Sequence, residues 1–264
     1  MKFFESKVSL AAMALSLSYL SNGLSIPSMA GSSDSLSLRD TKQQQCLRIM
    51  PLGASITYGK HSTPPNGYRK ALRDHLTSLN YNVDMVGSQH SGDFEDNQHE
   101  GYPGLRIDQI ADKFNASSER DSKPNLFLVN AGTNDCQQNY RDMVGTSERL
   151  GDMTELIWKH SEKATIVLST VLASYNEKKA PGANARVTAL NVKIRDLAKS
   201  LKSKGRKIVL AEMNDGVLQK SDISEDGIHP TNEGYKKMAD VWAKAIASAR
   251  EQNFLEEPET TTMN

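Results

Sequence analysis

A serine hydroxyl attacks a carbonyl only when a base takes its proton and an acid orients that base. Three residues of this 264-residue sequence fit those parts. Ser55 lies in LGASITYG, residues 52–59, directly after the short apolar run Leu47–Met50. His229 lies in DGIHPTNEGY, residues 226–235, and an imidazole titrates close enough to neutrality to serve as a general base. Asp226 precedes it by three positions, a spacing that shares one face of a helical turn, so its carboxylate could hold the ring. Each residue also has a plainer reading. Ser55 could be an ordinary turn serine, and His229 before Pro230 a loop residue that starts a helix.

The elements that must position these residues alternate along the chain. Strand-like runs are Leu47–Met50, VDMVG at 83–87, LFLVNAG at 126–132, ATIVLST at 164–170 and RKIVLAE at 206–212. Between them the apolar residues step by three and four, as helices require: Leu72, Leu76 and Leu79; Ile107, Ile110 and Phe114; Leu150, Met153 and Ile157. Val187, Leu190, Ile194, Leu197 and Leu201 form the strongest stripe, and Tyr235, Met238, Trp242 and Ala245 the last. Trp158 and Trp242 lie beside apolar positions of such helices and read as core. This alternation predicts an α/β fold, a three-layer α/β/α sandwich around a doubly wound five-stranded parallel sheet in flavodoxin-like order. Ligands of such sheets bind outside the carboxyl ends of the strands. Four loops converge there: Gly53-Ala54-Ser55, the segment HEGYPGLRIDQI at 99–110 with Gly104, the turn Gly132-Thr133-Asn134-Asp135, and residues 226–230.

A serine loop near the N-terminus, then a glycine, a GxND and a late DxxH resemble the SGNH hydrolase superfamily, the GDSL-type esterases. RIMPLGASITYG, NGYRKALRDHL, VDMVGSQHSG, HEGYPGLRIDQI, AGTNDC and DGIHPTNEGY are similar to carbohydrate esterase family 3, which includes acetyl xylan esterases. The likeness runs over roughly residues 47–245. It implies a catalytic triad of Ser55, Asp226 and His229. It also implies an oxyanion hole from the Ser55 backbone N–H, the Gly104 N–H and the Asn134 side-chain amide. The implied activity is hydrolysis of small acyl esters, acetyl esters of a polysaccharide such as xylan, through an acyl-enzyme and with no cofactor or metal. Two positions depart from the family pattern: Ala54 stands where Asp is common, and Leu105 where an aromatic residue is often found. A lipid or lysophospholipid esterase on the same scaffold is one alternative, although no stretch resembles an apolar lid. A secreted binding protein that has lost activity is another, opposed by the intact Ser55, Gly104, Asn134, Asp226 and His229.

Composition bounds the rest. Lys plus Arg and Asp plus Glu both number 32, a balance without the basic excess of nucleic-acid-binding proteins. MKFFESK, the apolar stretch Val8–Leu20 and the small residues ending at Ala30 read as a secretory signal peptide over 1–30. The Ser- and Gln-rich segment 31–45 reads as a flexible leader, 46–253 as one hydrolase domain and 254–264 as a disordered tail. The expected protein is secreted, monomeric and without a membrane or nucleic-acid partner. Asn115-Ala116-Ser117 is a glycosylation acceptor if the chain is exported. Cys46 and Cys136 fall at opposite ends of parallel strands and are expected to stay unpaired, because bridged Cα atoms lie within about 7 Å. His61, just past the serine loop, reads as an ordinary loop histidine, with pocket lining the lesser alternative. The acidic stretch at 92–100, flanked by His90 and His99, matches no metal-binding loop and reads as solvated.

Overall fold

A computed structural model describes residues 44–259. The expected signal segment, and the leader as far as residue 43, lie outside the described residues. The sheet follows from the apolar runs. Strand β1 (Cys46–Gly53) pairs in parallel with β2 (Asn82–Met85) on one side and with β5 (Leu126–Asn130) on the other. Beyond β5 come β6 (Thr165–Ser169) and β7 (Ile208–Ala211), also parallel. This is the expected five-strand order. The structure adds two strands to it, β3 (Gln89–His90) and β4 (Gln98–Gly101), which form an antiparallel hairpin. β2 pairs along Cys46–Ile49, and β4 takes over at Leu52 and Gly53, next to the serine loop.

The hairpin corrects the reading of residues 92–100 as a solvated loop. His99 and Glu100 are fully buried. Neither breaks the rule that buried polar groups are hydrogen-bonded. Glu100 accepts from the Ser88 backbone N–H at 2.7 Å, the Ser117 hydroxyl at 2.8 Å and the Tyr102 hydroxyl. His99 Nε2 meets the Ser91 hydroxyl at 2.8 Å, and its Nδ1 accepts the Gly101 N–H at 2.9 Å.

Side chains alternate across the sheet with the two-residue period of a strand. Leu126 and Leu128 of β5 face one core; Phe127 and Val129 face the other. The first core is closed by α2 (Arg69–Ser78) and α7 (Asn232–Glu251) through Leu72, Leu76, Met238 and Trp242. The second is closed by α3 (Ile107–Ala116), α5 (Thr146–His160) and α6 (Ala183–Ser203). Trp242 is fully buried. An aromatic side chain that removes about 150–250 Å² from water contributes about 4–6 kcal/mol of gross hydrophobic stabilisation.

The domain extends past its expected end at 253. Phe254 and Leu255 pack against the first core, and the Phe254 carbonyl accepts the Thr165 hydroxyl at 2.7 Å. The Asn125 side chain donates to the Glu256 carbonyl. Two apolar residues at the start of an otherwise acidic segment anchor it, so residues 254–259 are part of the fold rather than of the expected tail. Cys46, at the start of β1, and Cys136, beyond the far end of β5, are both free thiols. No helix among the described residues is long and apolar enough to cross a membrane.

Candidate active site

β1 ends at Gly53 and the chain turns at once into the short helix α1 (Ser55–Tyr58). Ser55 is therefore the first residue past a strand-to-helix turn, where backbone N–H groups lack intrahelical partners. The turn is closed by the Tyr58 N–H on the Ala54 carbonyl at 3.0 Å and the Lys60 N–H on the Ser55 carbonyl at 2.9 Å. Ala54 packs into the second core, a place an aspartate could occupy only at a desolvation cost. Arg69, which sequence reasoning passed over, braces the helix from beneath. Fully buried, it donates to the carbonyls of Thr57, Tyr58, Pro65, Ser91 and Asn97 and to the Ser91 hydroxyl.

His229 arrives on the segment between β7 and α7. Its Nε2 stands 2.7 Å from Ser55 Oγ, and both residues are nearly buried. Its Nδ1 stands 2.5 Å from Asp226 Oδ2. The two residues meet in a tight turn rather than in the helical turn that their spacing suggested. The Ser224 N–H donates to the His229 carbonyl at 2.7 Å and the Gly227 N–H to the Ser224 carbonyl at 3.0 Å. Gly227 is required here. Its φ of +73° is left-handed, and a Cβ would lie 2.7 Å from the Tyr175 backbone. Asp226 Oδ1 accepts from the Ser224 hydroxyl at 2.8 Å and from the N–H groups of Ile228 and His229 at 2.9 and 3.0 Å.

These contacts set the charges. Burial alone would raise the Asp226 carboxyl, but the backbone and ring N–H groups of His229, the Ile228 N–H and the Ser224 hydroxyl outweigh it. The group is held well below the usual carboxylate range and stays ionised. Burial lowers the His229 imidazole below its ordinary value, and the attraction of Asp226 only partly offsets this. The ring is thus neutral near pH 7, as a proton acceptor must be.

The two other predicted residues sit on a loop and on the first turn of a helix. Gly104 is exposed, with φ +84° and open space where a Cβ would be. Asn134 lies in the first turn of α4 (Thr133–Gln138), and its amide donates to the Leu105 carbonyl at 2.8 Å. One amide hydrogen therefore anchors Asn134 to the Gly104 loop, and the second is left for another acceptor. Asp135 has a different task. Fully buried, it accepts from the Ile107 N–H at 3.1 Å and from Arg149 at 3.2 Å, joining α4 to α3 and α5.

His61 lies closer to the centre than a pocket-lining reading implied. Its Nε2 is 3.1 Å from Asp226 Oδ2, and its ring stacks on that of His229 at 5.2 Å. The fully buried Tyr235 secures the preceding residue by donating its hydroxyl to the Lys60 carbonyl at 2.7 Å. Only the proximity of His61 to Ser55 in sequence hinted at this position. Beside Asp226 a cleft of about 610 Å³ opens, lined in part by Tyr175, Lys179, Lys220 and Glu225.

The sequence model of the GDSL-like lipase/acylhydrolase family matches residues 52–237. A multidomain esterase of Ruminococcus flavefaciens is 28% identical over 259 residues, 89% of this chain but 31% of that protein. The chain thus spans about a third of the length of that curated relative. Among solved structures, a family 3 carbohydrate esterase of Clostridium thermocellum is similar with a TM-score of 0.68 and 26% identity, over 79% of this chain and 99% of that one. A family 3 carbohydrate esterase from Talaromyces cellulolyticus shares the fold at a TM-score of 0.66 and 20% identity, over 78% of this chain and 99% of that one. An acetylxylan esterase, Axe2, from Geobacillus stearothermophilus shares it at 0.57 and 14%, over 76% and 94% of the two chains.

Proposed function

Because the chain belongs to the GDSL-like lipase/acylhydrolase family, and so is by family a carboxylic ester hydrolase, we propose that it is a serine esterase that removes small acyl groups, chiefly acetyl, from carbohydrate such as xylan. The observation that carries the reading is the chain of contacts from Ser55 Oγ to His229 Nε2 at 2.7 Å and from His229 Nδ1 to Asp226 at 2.5 Å. In this mechanism Ser55 Oγ attacks the ester carbonyl and His229 Nε2 takes the hydroxyl proton. Asp226 stabilises the imidazolium. The oxyanion accepts from the N–H groups of Ser55 and Gly104 and from the free amide hydrogen of Asn134. Collapse expels the sugar alcohol, which takes the proton from His229 and leaves an acyl-Ser55. Water, deprotonated by the same imidazole, then attacks the acyl carbon, the bond to Ser55 Oγ breaks as that oxygen takes the proton back from His229, and the carboxylic acid is released.

The carbohydrate part of the proposal is supported by the names of the relatives in C. thermocellum and G. stearothermophilus. The cleft beside Asp226, lined by Lys179, Lys220 and Glu225 and by the exposed ring of Tyr175, is compatible with a sugar. Secretion, suggested by residues 1–30, and a monomeric state belong to the same proposal.

The test compares hydrolysis of an aryl acetate, a long-chain aryl ester and acetylated xylan by the protein and by Ser55→Ala. The proposal expects turnover of the aryl acetate and of acetylated xylan, both abolished in the variant. Preference for the long-chain ester would replace the carbohydrate reading with a lipid one. Equal near-zero rates for both proteins on all three would leave a binding protein.

A further inference from the structure

The acyl transfer described above assigns no task to His61, yet this residue is built into the same cluster. Its backbone takes φ +66°, in the left-handed region that residues other than glycine seldom adopt. Its Nε2 lies 3.1 Å from Asp226 Oδ2, the oxygen that also faces His229 Nδ1 at 2.5 Å. The two rings are nearly parallel, 15° apart. One ligand atom from each of His61, Asp226 and His229 lies within 4.8 Å of the other two, and among the described residues no other His, Cys, Asp and Glu side chains gather in this way. The side chains of His61 and Asp226 are 32% and 22% exposed, so solvent reaches the cluster.

Two imidazoles and a carboxylate are the donor set of a divalent ion of the zinc class, whereas calcium and magnesium call for oxygen ligands. Bonds of about 2.0–2.1 Å in a tetrahedron put neighbouring donors about 3.3–3.4 Å apart. The 3.1 and 2.5 Å separations from Asp226 reach that value by opening less than about 1 Å, and the two histidine nitrogens, within 4.8 Å of each other, by closing no more than about 1.4 Å. We propose that His61, Asp226 and His229 form an inhibitory site for a divalent transition-metal ion.

The inhibition follows from tautomer chemistry and rests on the role proposed for His229. A neutral imidazole has one lone pair and one N–H. A metal ion on the Nδ1 lone pair leaves the ring proton on Nε2, the atom that faces Ser55 Oγ at 2.7 Å. Nε2 then donates to the serine and cannot receive its proton. His61 ligates through Nε2 and keeps its proton on Nδ1. Asp226 is already ionised, so the ion enters without net proton uptake or release at either histidine.

The experiment uses the full chain freed of any affinity tag, together with His61→Asn and Ser55→Ala. Asparagine tolerates the left-handed backbone and has no ring nitrogen. Zinc chloride is titrated into each protein, with calorimetry for binding and aryl acetate hydrolysis for inhibition, each variant scaled to its own metal-free rate. The proposal expects one ion per chain, inhibition reversed by a chelator, and a midpoint at least tenfold higher in His61→Asn. Ser55→Ala should bind zinc as tightly as the parent, because its hydroxyl is not a ligand. Equal midpoints in the parent and His61→Asn, or no binding at millimolar zinc, would overturn the site. Calorimetry separates the two readings. Binding lost only in His61→Asn supports the site even if Ser55→Ala were fully active, a result that would sink the serine-esterase reading alone.

Discussion

Replacing Asp226 by Asn should disable the base while leaving the fold in place. Oδ1 of Asp226 accepts three hydrogen bonds, from the Ser224 hydroxyl and the N–H groups of Ile228 and His229. Asn keeps these by placing its carbonyl oxygen there, which turns its NH₂ toward His229 Nδ1. The ring then accepts at Nδ1 and moves its proton to Nε2, the wrong tautomer for a base. Restoring the productive tautomer sacrifices that bond, and the imidazolium formed during attack loses its carboxylate partner. The first loss is a hydrogen bond between neutral groups, about 0.5–1.5 kcal/mol, and the second a bond to a charged group, about 1.5–3 kcal/mol, so together they come to about 2–4.5 kcal/mol. That corresponds to a fall in kcat of about thirty- to two-thousand-fold. The assay is steady-state hydrolysis of an aryl acetate alongside thermal unfolding, with the melting temperature held within a few degrees as the control. A variant that folds normally and retains more than a tenth of the parent kcat would refute the reasoning.

Other outcomes follow from the same geometry. The kcat/KM profile should rise with pH as His229 loses its proton, with a midpoint below the ordinary 6.5 because burial outweighs the pull of Asp226; a midpoint above 7 would contradict this. Arg69→Met strands the Thr57 and Ser91 carbonyls among buried groups and should destabilise the fold by about 2–6 kcal/mol in urea unfolding; a loss under 1 kcal/mol would show that water or repacking satisfies them. Burial, then the nearby Arg69 and His90, lowers the pKa of His99 to about 3. The unfolded chain takes up a proton below pH 6.5 that the folded chain refuses until about pH 3, so the stability due to neutral His99 is complete above 6.5 and falls with pH. His99→Gln should remove this dependence, and the stability gap between parent and variant should narrow by roughly 2–3 kcal/mol from pH 6 to pH 4; a constant gap would refute it.

Much of this was legible in the chain because the inner strands are short apolar runs and the helices carry period-3.6 stripes. LFLVN and TIVLS could be placed from composition alone, and with them the rim where Ser55, Gly104, Asn134 and His229 had to emerge. The β3–β4 hairpin was not legible. QHEG shows no apolar alternation, and its burial depends on hydroxyls of Ser88, Ser91, Tyr102 and Ser117 that lie outside it. Arg69 looked like one more charge on a helix, since nothing local shows that its neighbours' carbonyls turn inward. His61 was undervalued for the same reason. Its contacts are with residues more than 160 positions away, which only the closing of β1 against the segment before α7 brings near.

The most direct measurement is acid-quench mass spectrometry in the first turnovers with an aryl acetate. The account predicts an acetyl group on the peptide containing Ser55, formed and lost at rates consistent with turnover and absent from Ser55→Ala. An acetyl group on another residue, or undiminished turnover by Ser55→Ala, would contradict it.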